Sequence, residues 1–449
     1  MTMNMTTACS LAAVAVVMCA CSGNKSGQPS EFPTSEPFEV FTTPDTTAIP
    51  YRIPAIAAST DGTLIAVADY RHSRSDIGIM VSNSGHVNDG KIDIHCRISP
   101  DCGMHWGEIF TIIEGKGAAS PNAFNTGFGD PAIVADRESS EVLLITCAGN
   151  VSFFDGTRDH HQGVAVFRSM DCGRTWSEPI DVAESLYEQL DHSVHGPIKA
   201  MFIGSGKIHQ SRHVKVGKYF RLYCAAVMRD VNNVRCNYIY YSDDFGRSWE
   251  LLGDPDTPPI PQNGDEPKAE ELPDGSVVIS SRIRGGRSYN IYTFSDITSA
   301  SGCWGEMAVS DATNGGTIAQ ENATNGEILI LPVTRVSDGE PTWVALKSVP
   351  FGPGRANVGI YYKELDNEDD YSSPEVFARD WHGRYQVSDS GSAYSTMTQQ
   401  ADGLIAFFFE EDTYNCVSGG GFTLIYQPLS IFDITNGLYN TEIHPAKRI

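Results

Sequence analysis

Polar turn residues followed by an apolar run of β-forming residues recur along the chain. Asp61-Gly62 precedes Thr-Leu-Ile-Ala-Val, residues 138–141 precede Val-Leu-Leu-Ile, and Gly217-Lys218 precedes Tyr-Phe-Arg-Leu-Tyr. Asp274-Gly275 precedes Ser-Val-Val-Ile-Ser, Asn325-Gly326 precedes Glu-Ile-Leu-Ile-Leu, and Asp402-Gly403 precedes Leu-Ile-Ala-Phe-Phe-Phe. Asp-Gly and Asn-Gly favour tight hairpins because both central positions need positive φ. Six such turns, about 68 residues apart, leave room in each unit for a four-stranded sheet with its loops. The expected fold is all-β, a six-bladed β-propeller.

A second repeat is offset from the first. Ser99-Pro-Asp101-Cys-Gly103-Met-His-Trp106 recurs as Ser169-Met-Asp171-Cys-Gly173-Arg-Thr175-Trp176 and as Ser242-Asp-Asp244-Phe-Gly246-Arg-Ser248-Trp249, about 70 residues apart each time. This Ser-x-Asp-x-Gly-x-Thr-Trp pattern is the Asp box. In it the Asp carboxylate should accept the N–H groups of a β-turn, the Gly should take positive φ, and the Trp should plug the space between sheets. These residues hold hairpins; the chemistry lies elsewhere. The stretch around Cys303-Trp304 is a degenerate fourth copy.

Composition narrows the function. Of 449 residues, 41% are hydrophobic, enough for a large core, and the formal net charge is −24. So acidic a chain is a poor binder of nucleic acid or of an anionic membrane, and any anionic substrate must be gripped by a local basic cluster. Three of the eleven cysteines fall within the first 21 residues, and the other eight are scattered singly, as small buried apolar residues with one or two bridges at most. No zinc-ligand spacing occurs, so neither a metal nor another cofactor is expected.

The first 21 residues carry no charge, and residues 8–21 are apolar apart from Ser10. The run is too short to span a bilayer but suits an export signal. Met18-Cys-Ala-Cys21-Ser resembles a bacterial lipoprotein signal, with Cys21 as the lipidated residue. Residues 22–38, rich in Ser, Pro, Gly and Thr, read as a tether, leaving 39–449 for the propeller. The protein is expected to be exported and lipid-anchored in the outer membrane or periplasm, or else secreted. It should touch membrane only through that anchor and act as a monomer.

Folding the chain at each hairpin turn brings unusual residues to equal distances from it. Arg52 lies nine residues before Asp61 and Arg71 nine after Gly62; Glu266 lies eight before Asp274 and Arg282 seven after Gly275. Tyr394 lies eight before Asp402, with Glu410 and Glu411 after Gly403, and Asp130 holds a similar offset in the second unit. In a propeller, equivalent positions of different blades lie on one ring about the axis, so these groups should converge on one mouth of the central channel.

Tyr51-Arg52-Ile53-Pro54 looks like the Phe/Tyr-Arg-Ile-Pro motif of the sialidases (neuraminidases) of bacteria and animals, which combine it with Asp boxes (BNR repeats). The resemblance runs along almost the whole chain after the tether. Asp69-Tyr-Arg71 through Asp76-Ile-Gly resembles the segment with a substrate-binding Arg and the catalytic Asp. Asp130-Pro-Ala-Ile-Val resembles the pocket-edge segment. Asp265-Glu266-Pro-Lys-Ala-Glu-Glu-Leu-Pro-Asp-Gly resembles the segment carrying the family's Glu. Ser280-Ser-Arg282 and Gly352-Pro-Gly-Arg355-Ala-Asn-Val-Gly-Ile-Tyr-Tyr resemble those with its second and third arginines. Gly391-Ser-Ala-Tyr394-Ser resembles the nucleophile segment, with Thr396 where Asp or Cys is usual.

The resemblance implies a retaining exo-α-sialidase acting on terminal sialic acids of glycans, glycoproteins or gangliosides. Arg52, Arg282 and Arg355 would grip the substrate carboxylate through planar, charge-assisted contacts that Lys could not match. That carboxylate repels an anionic nucleophile, which suits a neutral Tyr394 activated by Glu266; the family is a known exception to the two-carboxylate rule of glycosidases. Asp76 would protonate the leaving oxygen, and Arg71 and Asp130 would bind the hydroxyl and amide side of the sugar. A trans-sialidase, intermolecular or intramolecular, would share every one of these residues. A non-catalytic sialic-acid-binding propeller would have no need of the Tyr–Glu pair.

Overall fold

In a computed structural model, residues 34–45, 47–79, 89–319, 324–412 and 422–441 are described. Each repeat forms one antiparallel sheet whose first strand lies nearest a common axis, and the six sheets pack in sequence around it as blades. The inner strands are Tyr51–Ala58, Phe128–Ala135, the interrupted pair Ala200–Ile203 and His209–Val216, Lys268–Glu271, Ile328–Arg335 and Gly391–Gln399. Between the two pieces of the third inner strand, Gly206–Lys207 pairs in parallel with the second blade.

The sixth blade is closed by the other end of the chain. Strand Phe38–Phe41 pairs with Thr423–Leu429 and completes the sheet. Residues 34–38, read from the sequence as tether, are therefore docked: Thr34 N–H donates to Asp433 Oδ2 and Ser35 N–H to the Pro428 carbonyl. This ties the first repeat to the last, so opening the ring requires breaking a β-sheet.

Strands here are apolar on both faces because each blade is covered by a blade on either side. Six large apolar clusters follow, one per blade–blade interface. The Asp boxes sit at these interfaces. Asp171 Oδ1 accepts Thr175 N–H at 2.8 Å, Asp244 Oδ1 accepts Ser248 N–H at 2.9 Å, and Asp101 Oδ1 accepts His105 N–H at 2.8 Å. In each box the Gly has positive φ, and so does the residue before it: Cys102, Cys172 and Phe245. Trp106 stacks on Phe38 and meets Tyr426 edge-on, so the first blade's box grips the closing blade. Trp304 occupies the matching place in the fourth blade, donating to the Leu252 carbonyl, but its turn is built around Asp296 and Ala300 with no Asp-box geometry.

One of the six turns lies elsewhere than expected. In the fifth blade the hairpin closes at Asp338-Gly339, where Gly339 has φ +77° and its N–H donates to the Arg335 carbonyl. Asn325-Gly326 instead leads into the inner strand. The inner strand Ile328–Arg335 is as apolar as a second strand, which is why the wrong turn satisfied the pattern. Among the described residues Cys96, Cys102, Cys147, Cys172, Cys224, Cys236 and Cys303 are all free thiols, so the sheets and not disulfides hold this ring. Cys21 and the export segment lie outside the described residues.

Candidate active site

Three inner strands break register where they reach the same mouth of the channel: between Arg52 and Ala55, between Gly129 and Ala132, and between Ser392 and Ser395. Such bulges turn a side chain out of the pleat. Two put non-glycine residues into the left-handed region, Ile53 at φ +57° and Asp130 at φ +53°. For a β-branched residue this costs about 1–3 kcal/mol and persists only where the surroundings enforce it.

The enforcing groups are two buried carboxylates. Glu410, fully enclosed, accepts Ile53 N–H at 2.8 Å, Tyr394 N–H at 2.9 Å and Arg52 Nε at 2.7 Å. Asp69, equally enclosed, accepts Asp130 N–H at 3.0 Å together with Arg71 Nε at 3.0 Å and Nη2 at 2.7 Å. Glu410 thus pins two bulges and Asp69 the third, and each aims one arginine. Neither role follows from the sequence, although both residues lie in the segments singled out there. Their signal was an acid ending a strand otherwise made of Phe407–Phe409 or of Leu64–Ala68.

At the centre, Tyr394 Oη donates to Glu266 Oε1 at 2.5 Å. Arg282 Nη1 donates to Glu266 Oε2 at 2.8 Å and reaches Tyr394 Oη at 3.4 Å. The Arg52 guanidinium lies 5.4 Å from the centre of the Tyr394 ring and that of Arg355 lies 5.9 Å from it. Burial pushes the Tyr394 phenol well above its ordinary pKa, and the Glu266 carboxylate adds to this, against the pull of Arg282, Arg52 and Arg355. The phenol is therefore neutral and needs a base to become a nucleophile. Arg355 is exposed beside the Tyr394 ring, so its planar edge can meet a ligand. Arg335, the other arginine of that region, is occupied at the far end of the inner strand by Glu364, Asp338 and Asp366.

On the opposite side Arg71 is ringed by three carboxylates, those of Asp69, Asp76 and, at 3.5 Å, Asp130. One cation cannot hold three anions ionised. Burial, then the neighbouring Asp69, raises the Asp130 carboxyl well above its usual range, and burial raises Asp69 to about 6. Arg71, followed more weakly by Arg52 and Arg355, holds Asp76 below the usual range against its desolvation. The Asp76 side chain is 71% exposed, so water screens part of that pull. The eight residues that the resemblance implies thus meet at one mouth together with Glu410, whereas Glu411, also expected there, accepts from the Ser388 hydroxyl instead. Among the described residues no group of three or more His, Cys, Asp or Glu is placed to hold a metal.

The BNR repeat-like domain family model matches residues 80–407. The chain belongs to that family. The chain is similar to the sialidase of Micromonospora viridifaciens, 25% identical over 388 residues, covering 81% of this chain and 50% of that protein. The sialidase of Bacteroides fragilis (strain YCH46) is 24% identical over 264 residues, 56% of this chain and 43% of that protein. The chain spans about half the length of these curated relatives. This BNR-repeat propeller also shares its fold with the Hadza microbial sialidase Hz136 (TM-score 0.65, 19% identity, 88% of this chain and 68% of that one). The intramolecular trans-sialidase from Ruminococcus gnavus matches with a TM-score of 0.66 and 18% identity, covering 89% of this chain and 98% of that one.

Proposed function

We propose that the protein is a retaining exo-α-sialidase with Tyr394 as nucleophile. The observation that carries this reading is the 2.5 Å Tyr394–Glu266 hydrogen bond set among the guanidinium groups of Arg52, Arg282 and Arg355. A terminal sialic acid brings its carboxylate to the three arginines, which places the anomeric carbon over Tyr394 Oη. As Oη attacks, Glu266 takes the phenol proton, the glycosidic C–O bond breaks, and Asp76 gives its proton to the leaving oxygen. Water then attacks the glycosyl-tyrosine. Asp76 takes the water proton, Glu266 returns its own to Oη, and two inversions give net retention. Arg71 and Asp130 hold the hydroxyl and N-acyl side. NMR of the products from a sialyllactose tests this directly. Free α-sialic acid as first product supports hydrolysis; transfer to an acceptor or an anhydro sugar would make the protein a trans-sialidase on the same residues; no turnover of any sialoside would sink the reading.

Asp76 must be protonated to act as acid, yet Arg71 holds it ionised in the free protein. Substrate relieves this, because its carboxylate offsets Arg52 and Arg355 and the sugar displaces water. The depressed pKa means that the acid form is lost early as pH rises. The kcat/KM for a natural sialoside should therefore fall with rising pH through the acidic range, while kcat, which reports the complex, holds to higher pH. An aryl sialoside with a good leaving group should lack that fall. Equal profiles for the two substrates would remove Asp76 from the acid role.

Arg355→Lys keeps the charge but loses the planar, charge-assisted contact, worth about 30- to 1000-fold in kcat/KM. Near-native kcat/KM in this variant would show that Arg355 does not grip the carboxylate. We further propose export with lipid attachment at Cys21; intact-mass measurement of membrane-extracted protein should find a diacylglyceryl-modified chain beginning there. No helix among the described residues is long and apolar enough to cross a membrane.

A further inference from the structure

Below Glu266, between the fourth and fifth blades, lies a set of buried donors that the proposed reaction does not use. Lys268, Ser280 and Tyr289 are consecutive cross-strand partners on three neighbouring strands of the fourth blade, so their side chains share one face. Arg287 lies two residues from Tyr289 on that same face. All four are at most 1% exposed. Among the described residues Lys268 Nζ and all three guanidinium nitrogens of Arg287 have no hydrogen-bond partner, while the Tyr289 hydroxyl lies beside those of Ser280 and Thr317. From the fifth blade, buried Lys347 sends Nζ to the Gly326 carbonyl at 3.1 Å. A Cβ on Gly326 would come within 3.0 Å of Arg287 Nη2, so both cations border the same glycine.

The charges do not balance. Among the described residues one enclosed carboxylate, Glu327, stands against Lys268, Arg287 and Lys347. Its Oε2 is 3.7 Å from Lys268 Nζ and is already taken by Lys207 N–H and Thr396 Oγ1. Glu270 is paired with Lys207, Glu266 with Arg282 and Tyr394, and Asp265 with Arg235. Two uncompensated positive charges in an interior are costly. Lysines can relieve it by losing a proton, and burial together with Arg287 drives Lys347 well down. A guanidinium cannot deprotonate at any ordinary pH.

We propose that this interface holds a small monovalent inorganic anion of halide size, chloride under physiological conditions, bound by Arg287, Lys347 and Lys268 with the Tyr289 and Ser280 hydroxyls as neutral donors. The anion would neutralise the cations beneath Glu266 and lock the fourth blade to the fifth. The site owes nothing to the sialidase reading and would stand if that reading failed.

Two measurements on the full exported chain test it. In crystals grown with sodium bromide replacing chloride, an anomalous peak is expected between Arg287 and Lys347; an ordered water or a protein carboxylate in that position overturns the proposal. At constant ionic strength, replacing gluconate by chloride should raise Tm saturably by about 2 °C, as for any ligand that binds only the folded state. Arg287→Gln should abolish that increment. Should it not fold, Tyr289→Phe, which removes one hydroxyl and keeps the ring, should weaken the half-saturating chloride concentration severalfold. A chloride effect of equal size and midpoint in wild type and Tyr289→Phe would be a general salt effect and would also overturn the proposal.

Discussion

Tyr394→Phe is expected to lower kcat/KM by about 10³-fold or more while leaving the fold intact, since among the described residues the hydroxyl removed bonds only Glu266 and Arg282. The ring would still fill its place between Arg52 and Arg355. A 3-fluoro sialosyl fluoride should label the wild-type protein on the peptide containing Tyr394. The 3-fluoro group destabilises the oxocarbenium-like transition states, while fluoride departs readily enough for the first step to proceed. Labelling should vanish in Tyr394→Phe. It should slow by about 10²–10⁴-fold in Glu266→Gln, which keeps a hydrogen bond to Oη but cannot take its proton. In Asp76→Ala it should change little, because fluoride needs little protonation to leave. A label on a carboxylate, or equal damage in the Glu266 and Asp76 variants, would reassign the roles even with sialidase activity intact.

The features legible in the sequence are those in which local chemistry decides the outcome. Asp-Gly turns and Asp boxes are short hydrogen-bonded units whose geometry depends on a few consecutive residues, so counting them reached the number of blades. The mouth residues could be placed because a propeller converts equal distance from a turn into equal height along the axis. The same logic failed at the fifth turn, where the inner strand is as hydrophobic as the one that follows. It was blind to Glu410 and Asp69, whose function arises only when three strands meet: each binds an arginine and the N–H of a bulge that no pattern announces. Arg287 is the hardest case. In Arg282-Ile-Arg-Gly-Gly-Arg287-Ser it reads as one more cation of a solvated hairpin, yet the fifth blade covers it completely.

Glu410→Ala should be the most damaging change outside the reacting groups, and for two separable reasons. It leaves the Arg52 guanidinium buried without its partner and orphans the Ile53 and Tyr394 N–H groups. Breaking one half of a buried pair costs about 3–5 kcal/mol. The strained Ile53 bulge loses the acceptor that holds it, so Arg52 and the Tyr394 backbone should both drift, and a drift of about 1 Å costs roughly 10²-fold in rate. Glu410→Gln keeps one acceptor oxygen but turns an amide donor towards Arg52 or a backbone N–H, so it should fall between wild type and Ala in both Tm and kcat/KM. The double variant Arg52→Met/Glu410→Ala separates the two effects. With no unpaired charge left it should recover much of the lost stability, yet remain as inactive as Arg52→Met alone, because the carboxylate grip is gone. Recovery of activity along with stability would mean that Arg52 serves the fold and not the substrate. A near-native Tm and kcat/KM in Glu410→Ala itself would mean that the bulges are held by something other than this carboxylate.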